Sequence, residues 1–174
     1  ENVGIEEKHV TYSKYKEYMH KYKINNLQET EKKKKKQRMI KDEEEIEKIQ
    51  KACEITDNCF KHLQEFIKVG KTEKEIAFEI EKFMIQNGSD GLAFPSIVAS
   101  GPNSSMPHAV PTDRKIVSGD IIQFDIGCKY KGFASDMSRV VFVEYMAEEL
   151  KPIYDFVLEE QRKLYETLKD GSNI

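Results

Sequence analysis

The residues with the clearest capacity for chemistry are two aspartates, Asp125 and Asp136, eleven positions apart in a stretch where apolar residues alternate. On the first strand of that stretch Ile122, Phe124, Ile126, Cys128 and Tyr130 share one face, and Ile121, Gln123, Asp125 and Gly127 share the other. A two-residue loop at Tyr130-Lys131 places Asp125 directly opposite Asp136 in a hairpin. Residues so opposed have Cβ atoms about 4.5–5.5 Å apart, and like charges there are destabilising. The pair then calls for a cation between the carboxylates or a shared proton. Gly127 and Ala134, on the same face, are small and leave room. Aspartate is disfavoured inside strands, and a local rule broken at two facing positions points to a site. Three chemistries fit the pattern: a polar outer face with two solvated acids, a carboxyl pair for acid–base work with a raised pKa, or a divalent-metal site. Oxygen ligands alone favour magnesium, calcium or manganese, and an added histidine also suits zinc, cobalt or iron. His108 lies twelve residues before the hairpin in a proline-bounded loop; taken alone it reads as a surface histidine. Cys128 reads as a buried thiol, and Arg139 faces away from the acids.

The elements that must hold these residues are legible around them. Pro95, Pro102, Pro107 and Pro111 break helical patterning between Phe94 and Asp113, which predicts a short strand near Ser96 to Ser100 and then a shaped loop. Asp42 with Glu45 marks a helix start. Ile46, Ile49, Cys53, Thr56, Phe60, Leu63 and Ile67 follow as one stripe, which makes Cys53 a core residue and His62 an exposed one. Gly70 caps that helix. Thr72 and Glu75 form a capping box ahead of a second stripe, Ile76, Ile80, Phe83 and Met84, which Gly88 ends. A last helix runs from about Glu148 to Lys169, and Pro152 confines its start to the first turns. Near the beginning, Ser13 to Lys23 is helical by spacing, Asn25-Asn26 interrupts it, and the run Lys32 to Lys36 with Arg38 reads as a solvated linker or exposed surface.

Three segments, AFPSIVASGPNSSMPHAVPTDRKIVSGD, IIQFDIGCKYKGFASDMSRVVFV and RMIKDEEEIEKIQKA, resemble the pita-bread (creatinase/aminopeptidase) metallopeptidases, and are most similar to the Xaa-Pro branch of aminopeptidase P and prolidase. The resemblance implies an α+β fold: the N-terminal half of a pita-bread domain, an antiparallel hairpin sheet covered by helices, over residues 41–174. The opening VGIEEKHVTY resembles the last strand and helix of a creatinase-type N-terminal domain, so residues 1–40 are expected to be its remnant and linker. Asp125-Ile126-Gly127 and Asp136 match the family's first two metal ligands, with Asp136 bridging two divalent cations and Asp125 binding one. Manganese is the common metal, with cobalt or zinc as alternatives. Pro107-His108 matches the element whose histidine contacts substrate and steadies the tetrahedral intermediate, which makes His108 the catalytic residue. The family's other ligands, one histidine and two glutamates, are expected beyond Ile174. The implied activity is hydrolysis of the bond between an N-terminal residue and proline, by a homodimer when full length, with this stretch inactive alone. The alternatives are a non-catalytic binding or chaperone module of the same fold and a methionine aminopeptidase-like enzyme.

Composition sets the outer bounds. Of 174 residues 39% are hydrophobic and 34% charged, a globular balance. A net charge of -3 gives no global basic field for nucleic acid. No apolar run is long enough to span a membrane, and no signal peptide is visible. Cys53, Cys59 and Cys128 form no C-x-x-C pair, which suits free thiols in a reducing cytoplasm. The chain opens on Glu1, so its natural start is expected to lie upstream or to have been removed.

Overall fold

A computed structural model describes residues 2–5, 8–23 and 26–172. Glu6, Glu7 and Asn25, which belong to the expected opening strand–helix segment and its interruption, lie outside the described residues. The chain forms two compact units, Glu1–Ile46 and Glu47–Ile174.

In the first unit, strands β1 (Asn2–Ile5) and β2 (Asn26–Glu29) pair in parallel. Parallel strands need a crossover, and α1 (Tyr12–Tyr22) supplies it. Thr11 caps α1 by accepting from the Lys14 amide, and Lys23 closes it in the left-handed conformation at φ 50°. The lysine run folds as a helix, α2 (Glu31–Met39), rather than a linker. Lysine, glutamine and methionine are good helix formers, and Lys32, Lys34, Lys35, Lys36 and Arg38 are exposed, as a solvated surface requires.

The second unit begins in helix α3 (Glu43–Phe66), whose first residues, through Ile46, belong to the first unit. Asp42 and Glu45 cap it reciprocally, each carboxylate accepting from the other's amide at 2.9 and 3.0 Å. Its buried line is Ala52, Ile55, Thr56, Cys59 and Leu63. Cys53 is exposed, contrary to the stripe read from the sequence. Thr56 and Leu63 belong to both lines, but Ala52 brings the helix close to the sheet, where its carbonyl accepts from the Cys128 thiol. One residue further along, Cys53 is turned about 100° away. His62 is half-buried rather than exposed: its ring stacks on Phe83 with centroids 4.7 Å apart, and Nε2 meets Glu79 at 3.0 Å. Helix α4 (Glu73–Gln86) starts on the predicted Thr72–Glu75 capping box and buries Ile76, Ile80 and Met84.

Two small antiparallel sheets lie beneath these helices. Strands β3 (Gly91–Leu92), β6 (Cys128–Tyr130) and β7 (Phe133–Ala134) form one in the order β3-β6-β7. Strands β4 (Ile97–Ser100), β5 (Ile121–Ile126) and β8 (Met137–Phe142) form the other in the order β4-β5-β8. Residues 121–142 are therefore one hairpin, interrupted at Gly127 and at Ser135-Asp136. Beside the interruption, five positions separate Leu92 from Ile97 while three separate their partners Cys128 and Asp125, so two extra residues bulge between β3 and β4. Pro95 sits in that bulge, where its missing donor costs no ladder bond. Ile122, Phe124, Ile126 and Cys128 are fully buried against α3 and α4, the apolar face predicted for the hairpin.

Helix α5 (Lys151–Thr167) carries Pro152 in its first turn and buries none of its residues. Tyr154 meets Phe142 edge-on at 5.4 Å, while Ile153, Phe156 and Val157 are exposed. Among the described residues no helix is long and apolar enough to cross a membrane.

Candidate metal centre

The hairpin turn is built on Lys131 and Gly132, with φ of 48° and 84°. Two successive positive φ values define the two-residue turn whose twist suits a hairpin, and glycine takes the second at little cost. Tyr130 therefore pairs with Phe133, and Asp125 pairs with Ser138. The direct opposition of Asp125 and Asp136 expected from a Tyr130-Lys131 loop is corrected to a diagonal one. A loop displaced by one residue moves every partner by two, which preserves the face. Both acids still project from the same side of the hairpin, and diagonal neighbours lie about 7–8 Å apart by Cα, within reach of each other's side chains.

The electrostatics reflect that proximity. Burial raises the Asp125 carboxyl above the ordinary range, and the negative charge of Asp136 raises it further. A hydrogen bond from Ser138 Oγ at 3.3 Å and the positive field of His108 oppose the rise without cancelling it. Asp136 is exposed and lies at the interruption of the return strand. Gly127 is buried beside it, and a Cβ there would collide with the Ser135 carbonyl oxygen. That close approach leaves no room for a side chain at position 127.

His108 is exposed in a turn of the proline-rich loop. Its neighbour Ala109 is buried in a small apolar cluster with Ile97 and Ala99, which lie on β4 opposite Asp125 and Gln123. The structure thus brings all three sequence-predicted residues to one side of the sheet. Two carboxylates on one face, one destabilised as an anion by its neighbour, are a pair that a divalent cation could hold. Among the described residues no group of three or more His, Cys, Asp and Glu side chains gathers to complete a coordination sphere. A cavity of about 320 Å³ opens beside Asp136, between Cys53, Asp57, Arg139, Gln161 and Tyr165. Neither Asp125 nor His108 lines it.

Sequence reasoning missed the network beneath the loop. Glu73, the first residue of α4, is fully buried. Its Oε1 accepts from the Ser100 amide and hydroxyl, both at 2.7 Å, and from Asn103 Nδ2 at 3.1 Å. Its Oε2 accepts from the Thr112 amide at 2.9 Å, the Thr112 hydroxyl at 2.6 Å and Asn103 Nδ2 at 3.2 Å. Burial alone would raise the Glu73 carboxyl; these bonds outweigh it and hold the group down at about 2. Alongside, Arg114 makes a two-pronged pair with Asp120 at 2.6 and 2.8 Å and donates to Ser100 Oγ at 2.7 Å. A glutamate in a capping sequence reads as an exposed helix start, and its partners lie 27 to 39 residues away.

The sequence pattern of metallopeptidase family M24 matches residues 47–174. The chain belongs to this family. The match coincides with the second compact unit through its last residue. Among curated relatives, a Xaa-Pro dipeptidase of Pyrococcus horikoshii is 42% identical over 134 residues, covering 77% of this chain and 38% of the relative. A Xaa-Pro dipeptidase of Pyrococcus furiosus is 37% identical over 171 residues, covering 98% and 49%. Among solved structures, the X-Pro aminopeptidase of Thermotoga maritima superposes with a TM-score of 0.89 at 36% identity, covering 93% of this chain and 46% of that one. The fold is the N-terminal half of a pita-bread domain. The chain spans about half the length or less of the curated relatives it matches.

Proposed function

We propose that the whole protein is a metal-dependent exopeptidase that hydrolyses the bond between an N-terminal residue and proline. The observation that carries the reading is the projection of Asp125 and Asp136 from one face of the hairpin, with the His108 loop seated on the strand beside Asp125. The names of the relatives, Xaa-Pro dipeptidases and an X-Pro aminopeptidase, supply the substrate class. Residues 1–40 are read as the remnant of a creatinase-type N-terminal domain. The three free cysteines suit a reducing cytoplasm, and a homodimer follows from the same resemblance.

Asp125 and Asp136 would hold the metals, with Asp136 shared between two divalent ions, manganese in the first instance and cobalt or zinc as alternatives. Bound there, such ions acidify water and polarise the scissile carbonyl. Asp136 suits the shared role because it sits exposed at the bend. His108 holds an N–H toward the oxyanion that develops on the substrate carbonyl, an interaction strongest in the transition state. Ile97, Ala99 and Ala109 give the loop an apolar seat next to the histidine.

In the whole protein, Asp136→Ala should abolish manganese-dependent cleavage of a Xaa-Pro peptide. His108→Ala should leave bound metal unchanged by elemental analysis and lower kcat about 100-fold, as removal of one transition-state donor does. Loss of metal in the His108 variant would contradict the role given to it.

A further inference from the structure

We propose that Glu73 is a positioning residue that sets the place of His108 by clamping both ends of the loop that carries it. The inference rests on the catalytic role given to His108 above.

The loop leaves β4 at Ser100, turns through the short helix Gly101–Ser105 and returns at Thr112. One carboxylate holds all three points. Oε1 takes the departing strand end, Oε2 takes the returning end, and Asn103 spans both oxygens. The backbone repeats the connection: the Glu73 amide donates to the Arg114 carbonyl at 3.2 Å and the Lys74 amide to the Thr112 carbonyl at 3.1 Å. His108 lies between these anchors, eight residues after Ser100 and four before Thr112. The anchor is rigid because Glu73 is also the first residue of a capped helix in the core.

A buried carboxylate is a costly way to close a surface loop, because a charge out of water must be fully hydrogen-bonded to persist. Here every oxygen is satisfied. The helix N-terminus also favours the negative charge. The same network reaches the other half of the site. Ser100 Oγ joins Glu73 to Arg114, and Arg114 grips Asp120, the residue before the strand that carries Asp125. Gly101 lies against this pair at φ 49°, where a Cβ would strike Arg114 and Asp120. The clamp therefore references the histidine loop to the aspartate strand through fixed charges.

The test is a double-mutant cycle in the whole, manganese-loaded protein with a peptide that has proline at the second position as substrate. Asn103→Ala removes the bridging donor and leaves the capping box intact. It should lower kcat about tenfold through misplacement of the histidine, with KM and bound metal little changed and with a fall in thermal midpoint that is the same whether or not His108 is present. In a His108→Ala background the same substitution should lower kcat no further. Thr112→Val should behave like Asn103→Ala, and Thr112→Ser, which keeps the hydroxyl donor, should restore activity. Glu73→Gln should give the largest loss of kcat; if it does not fold, the Asn103 and Thr112 variants still decide. Equal losses with and without His108, or no loss from either loop variant, would overturn the clamp while leaving the proposed activity standing. A His108→Ala protein with unchanged kcat would overturn both the clamp and the role given to His108.

Discussion

Single side chains in this structure depart from what their types suggest, and each departure has a measurable sign. Glu73 is held near 2, below the usual 4.5 for a glutamate. A carboxylate with a depressed folded pKa contributes stability above its unfolded pKa, and the contribution is lost as pH falls through the folded value. The contribution is about 3 kcal/mol at one pKa unit per 1.36 kcal/mol. Urea unfolding of wild type and Glu73→Gln should show the wild-type advantage shrinking by most of that amount between about pH 6 and about pH 2. Burial lifts both Cys53 and Cys59, the latter to about 12, yet Cys53 alone of the three cysteines is exposed. Thiol titration of the native protein should therefore find one accessible cysteine and two that react only on unfolding.

At the scale of elements, the hairpin depends on two glycines for different reasons. Gly132 holds φ 84° with open space around it, so Gly132→Ala should cost about 1 kcal/mol in strain alone, read as a lower melting temperature. Gly127 faces a backbone carbonyl that cannot yield, so Gly127→Ala should cost several times more. The same hairpin marks the boundary of what the sequence discloses. Its alternation, its apolar face and the shared side of both acids were legible, because period two survives a register error of two. The pairing itself turned on which two residues make the loop, a choice that backbone conformation decides. The capping boxes at Asp42 and Thr72 were legible because both partners lie within one turn. The burial of Cys53 was misjudged because neighbouring stripes on a long helix share residues, and the sheet beneath selects between them. The clamp at Glu73 was hidden because its partners are distant in sequence and individually ordinary.

For the molecule as a whole, the apolar surface of α5 is its most consequential exposure. Ile153, Phe156 and Leu164 are each more than half accessible, and such surface promotes association. Residues 1–174 produced alone should self-associate in sedimentation velocity, and Phe156→Lys should reduce it. The same preparation should bind manganese weakly by calorimetry and show no Xaa-Pro cleavage, since two carboxylates leave most coordination positions to water. Micromolar affinity with turnover would show that the catalytic set is complete within these residues.

The long sequence separation of the Glu73 clamp also orders events in folding. Its bonds to Ser100 and Thr112 span 27 and 39 residues, so they cannot form until α4 and β4 have met, and closing such loops carries an entropic cost early on. The seat of His108 is then acquired late, after the barrier. Loosening the clamp should accelerate unfolding and leave the refolding rate nearly unchanged, with φ-values near zero across Ser100, Asn103 and Thr112. The part of the fold that places the histidine would then be the last to arrive and the first to leave.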